Sequence, residues 1–152
     1  MEWMLLPFKR YADFRGRSRR MEYWMFALLN LIVATVLVGI MFSTGSVFGS
    51  LSGADAANPF AIYSVLFGGF GLVLVVWWLF VLIPSIAVTV RRLHDRNMSG
   101  WWYLGLIVAT FIPVVNFVAS IAFLVLMVLD GTPGSNRFGP DPKGRGTAEV
   151  FS

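Results

Sequence analysis

A chain of 152 residues that is 57% hydrophobic, 13% charged and +4 in net charge has room for one small helical membrane domain and for no separate water-soluble one. It contains no cysteine and one histidine, which excludes disulfides, thiolate metal sites, cysteine nucleophiles and a histidine cluster for zinc or iron. Charge is nearly absent from two long stretches: between residues 23 and 90 only Asp55 is charged, and residues 101–129 carry none.

Residues 1–20 carry Lys9, Arg10, Arg15, Arg17, Arg19 and Arg20 against Glu2 and Asp13. Trp3, Leu5, Leu6, Phe8, Tyr11 and Phe14 are interleaved with these charges. This mixture predicts a basic segment lying on the membrane surface, with aromatics in the headgroup layer. Gly16 is expected to end any helix there. Ser18 is the expected N-cap of the next helix, with Glu22 in the first turn where the macrodipole favours an anion.

A crossing needs roughly 20 apolar residues for a hydrocarbon core of about 30 Å. Residues 21–42 meet this as a first span, with Tyr23 and Trp24 at its interfacial end. The run is longer than a signal-peptide core and no A-x-A-like site follows it, so it reads as uncleaved. The loop 43–59 holds Asp55 and no Lys or Arg, so charge bias places it outside. Residues 60–90 form a second, overlong apolar segment. Pro84 predicts a kink, and Ser64, Gly68, Gly69 and Gly71 offer a surface for close helix approach.

The second basic loop, residues 91–100, carries Arg91, Arg92 and Arg96 against Asp95. Charge bias makes it cytoplasmic together with the N-terminus. Trp101, Trp102 and Tyr103 then mark re-entry into the interface. Residues 101–129 hold Pro113 near their middle and Asn116 beyond it. They read either as one kinked span or as a hairpin broken at Pro113, and the neutral tail 130–152 gives charge counting little grip. Asn116 is expected to bond a neighbouring helix or carbonyls freed by Pro113. The architecture is thus an all-α polytopic membrane bundle with three long apolar segments, 21–42, 60–90 and 101–129, the third kinked or hairpinned.

Three local patterns recur in a telling order: F-R-G-R-S-R-R-M-E-Y-W at residues 14–24, R-R-L-H-D-R-N-M-S-G-W-W at 91–102, and G-T-P-G-S-N-R-F-G-P-D-P at 131–142. Separated by apolar spans, they resemble the bacterial YhaH/YhaI-like inner-membrane family, a domain-of-unknown-function family. The resemblance covers about residues 8–143. One departure is the 43–59 loop, which is longer than in compact members. The resemblance implies a small inner-membrane protein without an established activity, and it supplies no catalytic residues.

The densest polar cluster is Arg91, Arg92, His94, Asp95 and Arg96. One reading makes it a site for lipid phosphate, with His94 titrating near neutrality. The other makes it a topological anchor with an internal Arg91–Asp95 pair at i,i+4. Arg15, Arg17, Arg19 and Arg20 face the same choice. Asn136, Arg137, Gly139, Pro140, Asp141 and Pro142 predict a rigid turn. It either caps the bundle or brings Asp141 or Asp130 onto the arginine loop.

No ionisable residue lies within an apolar core, which argues against an ion-coupled pump. Neighbouring His94 and Asp95 point about 100° apart on a helix and make no catalytic dyad. The expected function is therefore non-enzymatic, with no metal and no cofactor. The sequence points to an inner-membrane component binding anionic lipids or partner proteins, with self-association among the options and nucleic acid not among the partners. A lipid or amphiphile carrier using Asn116 and the arginine loop is the alternative.

Overall fold

The computed structural model describes residues 2–45, 60, 63 and 69–145. Among them, regular structure is helical, apart from an isolated bridge between Asn136 and Gly139. The helices are α1 (Glu2–Lys9), α2 (Arg20–Ser43), α3 (Phe70–Asp95), α4 (Trp101–Ala109) and α5 (Pro113–Val128). The chain divides into two compact units, Met1–Phe26 with Pro84–Ser152, and Ala27–Ile83. Most of the 43–59 loop, with Asp55, lies outside the described residues, as do Ser64, Gly68 and the end of the tail.

Among the described residues, two helices are long and apolar enough to cross a membrane, Arg20–Ser43 and Gly71–Asp95. At 1.5 Å per residue each exceeds the core thickness of about 30 Å. In the unit formed by residues 27–83, large apolar side chains lie on the outer surface, with Leu31, Val36, Trp78 and Leu79 each more than half exposed. A water-soluble protein rarely leaves so much contiguous apolar surface bare. The hydroxyl of Thr35 donates to Leu31 O at 2.7 Å, so this polar group is satisfied within its own helix.

The first apolar segment matches α2 closely. The second differs: its helix runs on to Asp95, so Arg91, Arg92 and Asp95 are helical residues and not loop. Pro84 is buried and lies inside α3, which runs through it unbroken. Asn97, at φ 57°, ends this helix. Met98 N donates to Leu93 O at 2.9 Å and Asn97 N to His94 O at 2.9 Å, the bond pair of a Schellman motif. Asn tolerates the left-handed region better than most other side chains, so Asn97 is the stop signal of α3. Gly100 instead provides room, because a Cβ there would sit 2.8 Å from a Val90 methyl.

The expected third long span is two short helices. Ile112 is extended, Pro113 opens α5, and α4 and α5 pack on each other. Tyr103 and Phe123 meet across this hairpin at 6.1 Å. Pro113 has no N–H to satisfy. The N–H groups of Phe111, Ile112 and Asn116 find Val108, Ala109 and Ile112 carbonyls. The hairpin leaves the polar end of α3 and returns to it, since Thr132 N donates to Asp95 O at 2.9 Å. Of the two readings of residues 101–129, this is the hairpin.

Near the N-terminus, α1 stops at Lys9, well before Gly16. Phe8 packs edge-on against Phe26 at 5.2 Å, and Pro7 is buried. Gly16, at φ 78°, serves the irregular stretch that follows.

Candidate functional site

The unit holding both termini contains a buried polar layer built on the end of α3. Arg91 and Arg92 both have 0% exposure, Asp95 3% and Arg17 6%. Charges so deeply buried are tolerated only when paired and hydrogen-bonded. Each finds several partners.

Asp95 is shared. Its Oδ1 accepts from Arg17 Nε at 2.9 Å, and its Oδ2 accepts from Arg92 Nη1. Its backbone carbonyl accepts from the Thr132 hydroxyl at 3.1 Å. The Arg17 guanidinium continues to Gly134 O and Thr132 O, both at 2.6 Å. Arg92 continues to Leu129 O and, at 3.4 Å, to Met127 O. Gly131 is required by this crowding: a Cβ there would lie 1.9 Å from Asp95 Oδ2.

Arg91 faces a different set. Its Nη2 donates to Glu22 Oε1 at 2.7 Å and its Nη1 to Asp13 O at 2.6 Å. Its Nε is buried without an acceptor among the described residues. Glu22 Oε2 accepts from the Ser18 hydroxyl at 2.7 Å. Ser18 thus orients the carboxylate and does not cap the α2 backbone. The expected Arg91–Asp95 pair does not form, because Glu22 takes Arg91 while Arg17 and Arg92 occupy both Asp95 oxygens.

The tail completes the layer. Asn136 Nδ2 donates to His94 O at 2.9 Å, and Phe138 stacks on the His94 ring at a centroid distance of 3.9 Å. His94 Nδ1 lies 3.2 Å from Gly16 O; a carbonyl only accepts, so Nδ1 carries the proton. His94 is thereby directed away from Asp95. Arg19 donates to Pro142 O and lies over the Trp3 ring at 5.4 Å. Arg137 donates to Asn97 O at 3.0 Å and Arg96 to Asp130 O at 2.7 Å.

Asp130 and Asp141 anchor the tail's own charges. The Asp130 carboxylate pairs with Lys143, Arg20 and Arg145, with Lys143 the main cause of its lowered pKa. Asp141 is opposed by its burial, yet the Arg145 and Lys143 N–H bonds and the nearby Arg145 and Arg17 charges bring it down to about 2. Asp13 is likewise lowered, chiefly by its hydrogen bond from Arg10.

The structure therefore brings together Arg17, Arg19, Arg20, Arg91, Arg92, His94, Asp95, Arg96, Asn136, Arg137 and Asp141. Arg15 is set apart: its side chain is exposed and its guanidinium has no partner among the described residues. Sequence reasoning missed Gly131, Thr132 and the pairing role of Glu22. The only signal for the first two was their place in the third motif. Among the described residues no group of three metal-ligating side chains forms.

Long apolar helices with bare apolar flanks, tied at one end by a buried arginine–carboxylate layer, define a helical membrane protein. All three sequence motifs contribute to that layer. The chain belongs to the family described as protein of unknown function (DUF805), whose pattern matches residues 11–140. It is 37% identical to the inner membrane protein YhaH of Escherichia coli strain K12 over 94% of this chain and 98% of that protein. It is 35% identical to the inner membrane protein YhaI of the same strain, over 94% of this chain and 97% of YhaI. The protein YiiR of that strain is 30% identical over 85% of both chains. No solved structure matches the chain.

Proposed function

We propose that this is a non-enzymatic component of the bacterial inner membrane whose polar layer is a structural clamp and whose exposed basic rim engages anionic headgroups. YhaH and YhaI, both named inner membrane proteins, support the location. In this reading α2 and α3 cross the bilayer, and α4–α5 is a re-entrant hairpin. The N-terminal segment, the loop after α3 and the tail lie on the cytoplasmic side, where Lys and Arg accumulate.

The observation that carries the reading is a division among the arginines. Arg17, Arg91 and Arg92 are buried, and each donates to partners within the protein, so they are not surface sites for lipid. Arg15 is exposed with no guanidinium partner among the described residues, and Arg137 is also exposed, bonded to the Asn97 carbonyl. Trp101 and Trp102, 78% and 59% exposed, start α4 at the level where aromatic side chains prefer the headgroup region. A basic residue near an anionic leaflet contributes about 1 kcal/mol.

The test uses Arg15→Gln with Arg137→Gln in reconstituted protein. Enrichment of phosphatidylglycerol over phosphatidylcholine around the protein should drop several-fold, with the melting temperature held. Unchanged enrichment would remove the headgroup reading. For sidedness, Ser43→Cys should react with an impermeant maleimide in intact cells while Ser135→Cys stays protected.

A further inference from the structure

Asn116 is the strongest polar group on the α4–α5 hairpin, and it lies on the outer surface. Its Oδ1 accepts from the Ser120 hydroxyl at 3.2 Å. Its Nδ2 donates to nothing among the described residues. The side chains flanking this pair on the helix surface are apolar and exposed: Val115 is 41% exposed, Phe117 71% and Leu124 56%. Asn116 is 13 residues from Leu129, whose carbonyl belongs to the polar layer. At 1.5 Å per residue that is about 20 Å along the helix, inside a core of about 30 Å. An amide with free N–H donors in hydrocarbon is unfavourable by several kcal/mol.

We infer that the Asn116–Ser120 face of α5 is the contact at which two copies of this chain associate within the membrane. The occupant follows from the chemistry of the side chain. An amide carries donor and acceptor together, so across a two-fold axis the Nδ2 of each copy meets the Oδ1 of the other. The free Nδ2 of each copy thereby gains an acceptor, at the second lone pair of the other copy's Oδ1. Lipid acyl chains offer neither donor nor acceptor. Ser120, one turn along the same face, is small enough to let the helices approach. The inference rests on the membrane placement proposed above.

The chain has no cysteine, so single replacements report directly on proximity. Oxidative crosslinking in native membranes should give covalent dimer at Asn116→Cys and Ser120→Cys. It should give little at Val114→Cys and Val118→Cys, which point about 160° away from Asn116. Adding Asn116→Leu to Ser120→Cys should lower the dimer yield about threefold or more, and Asn116→Gln should restore it. Equal yields at all four positions, or no dimer at Ser120→Cys, would overturn the inference. Reaction of Asn116→Cys with a water-soluble maleimide would overturn it differently, by placing the face in an aqueous path. Failure of the membrane reading alone would show instead as reversed labelling of Ser43→Cys and Ser135→Cys.

Discussion

Arg17 and Asp95 are 78 positions apart in the chain and lie 2.9 Å apart in the fold, both almost sealed from solvent. Arg17 comes from the irregular stretch before α2, and Asp95 is the last helical residue of α3. Their pairing fixes the N-terminal segment to the end of a long apolar helix. The same guanidinium bonds Gly134 and Thr132 carbonyls, so one side chain holds three separated stretches of sequence. The layer is thereby a knot of mutual dependence and not a row of independent surface charges.

Asp95→Asn should therefore be severe. It keeps the shape but leaves Arg17 and Arg92 buried without their carboxylate. Removing one partner of a buried pair typically destabilises by about 3–5 kcal/mol. Arg96→Gln removes a half-buried cation bonded to one backbone carbonyl and should cost less than about 1 kcal/mol. Thermal unfolding of the two variants in the same detergent separates them. Equal melting temperatures would show that Asp95 is not the centre of the layer.

Gly131→Ala tests the layer from the tail side. The added methyl would collide with the Asp95 carboxylate, which is buried between two arginines and has no room to turn away. The tail must then shift and lose the Thr132–Asp95 bonds. The expected result is faster proteolysis after residue 130, with α2 and α3 still protected. An unchanged digestion pattern would mean that the close approach is not required. Gly134→Ala is less informative, since its strain would come from a positive φ and not from crowding.

The sequence was most legible where one physical demand dominates. Charge-free runs gave the apolar helices, because a long segment without charge has few other solvents than lipid. The hairpin at Pro113 was visible as one of two alternatives; its resolution needed the contacts between Asp95 and Thr132. The layer was only half legible. The motifs marked most of its residues, yet nearest-neighbour spacing suggested Arg91 with Asp95, whereas the long-range partners Glu22 and Arg17 decided the pairing. Spacing along one helix says nothing about a carboxylate 69 residues away. Burial was the other loss, since arginines at a span end look the same whether they face headgroups or the protein interior.

Asn97 gives a conformational prediction. With φ at 57° it closes α3 through the Met98–Leu93 and Asn97–His94 bonds. Asn97→Gly should be neutral or slightly stabilising, because glycine adopts this region freely. Asn97→Val should cost roughly 1–2 kcal/mol through its branched Cβ. Its carbonyl, the acceptor for Arg137, is retained in both variants. A melting temperature that falls for valine and holds for glycine would assign the effect to backbone conformation; equal falls would assign it to the lost amide.

Acid should loosen the tail in a defined window. Asp141 has a folded pKa of about 2 against an ordinary 3.8. A depressed carboxylate stabilises the fold above its unfolded value and loses that contribution as pH falls through the folded one. Its stabilisation is thus fully present well above 3.8 and declines from there towards about 2. Asp130 and Asp13 are lowered too and act in the same direction. His94, lowered from its ordinary 6.5 chiefly by burial, disfavours the fold when protonated and contributes its own decline below pH 6.5, so in detergent-solubilised protein the carboxylates are read from a further fall in melting temperature below pH 4. Asp141→Asn should lower the melting temperature at pH 7 and shrink that further fall, because the titrating group is gone. A variant with the wild-type acid profile would mean that Asp141 does not tie Arg145 and Arg17 to the tail.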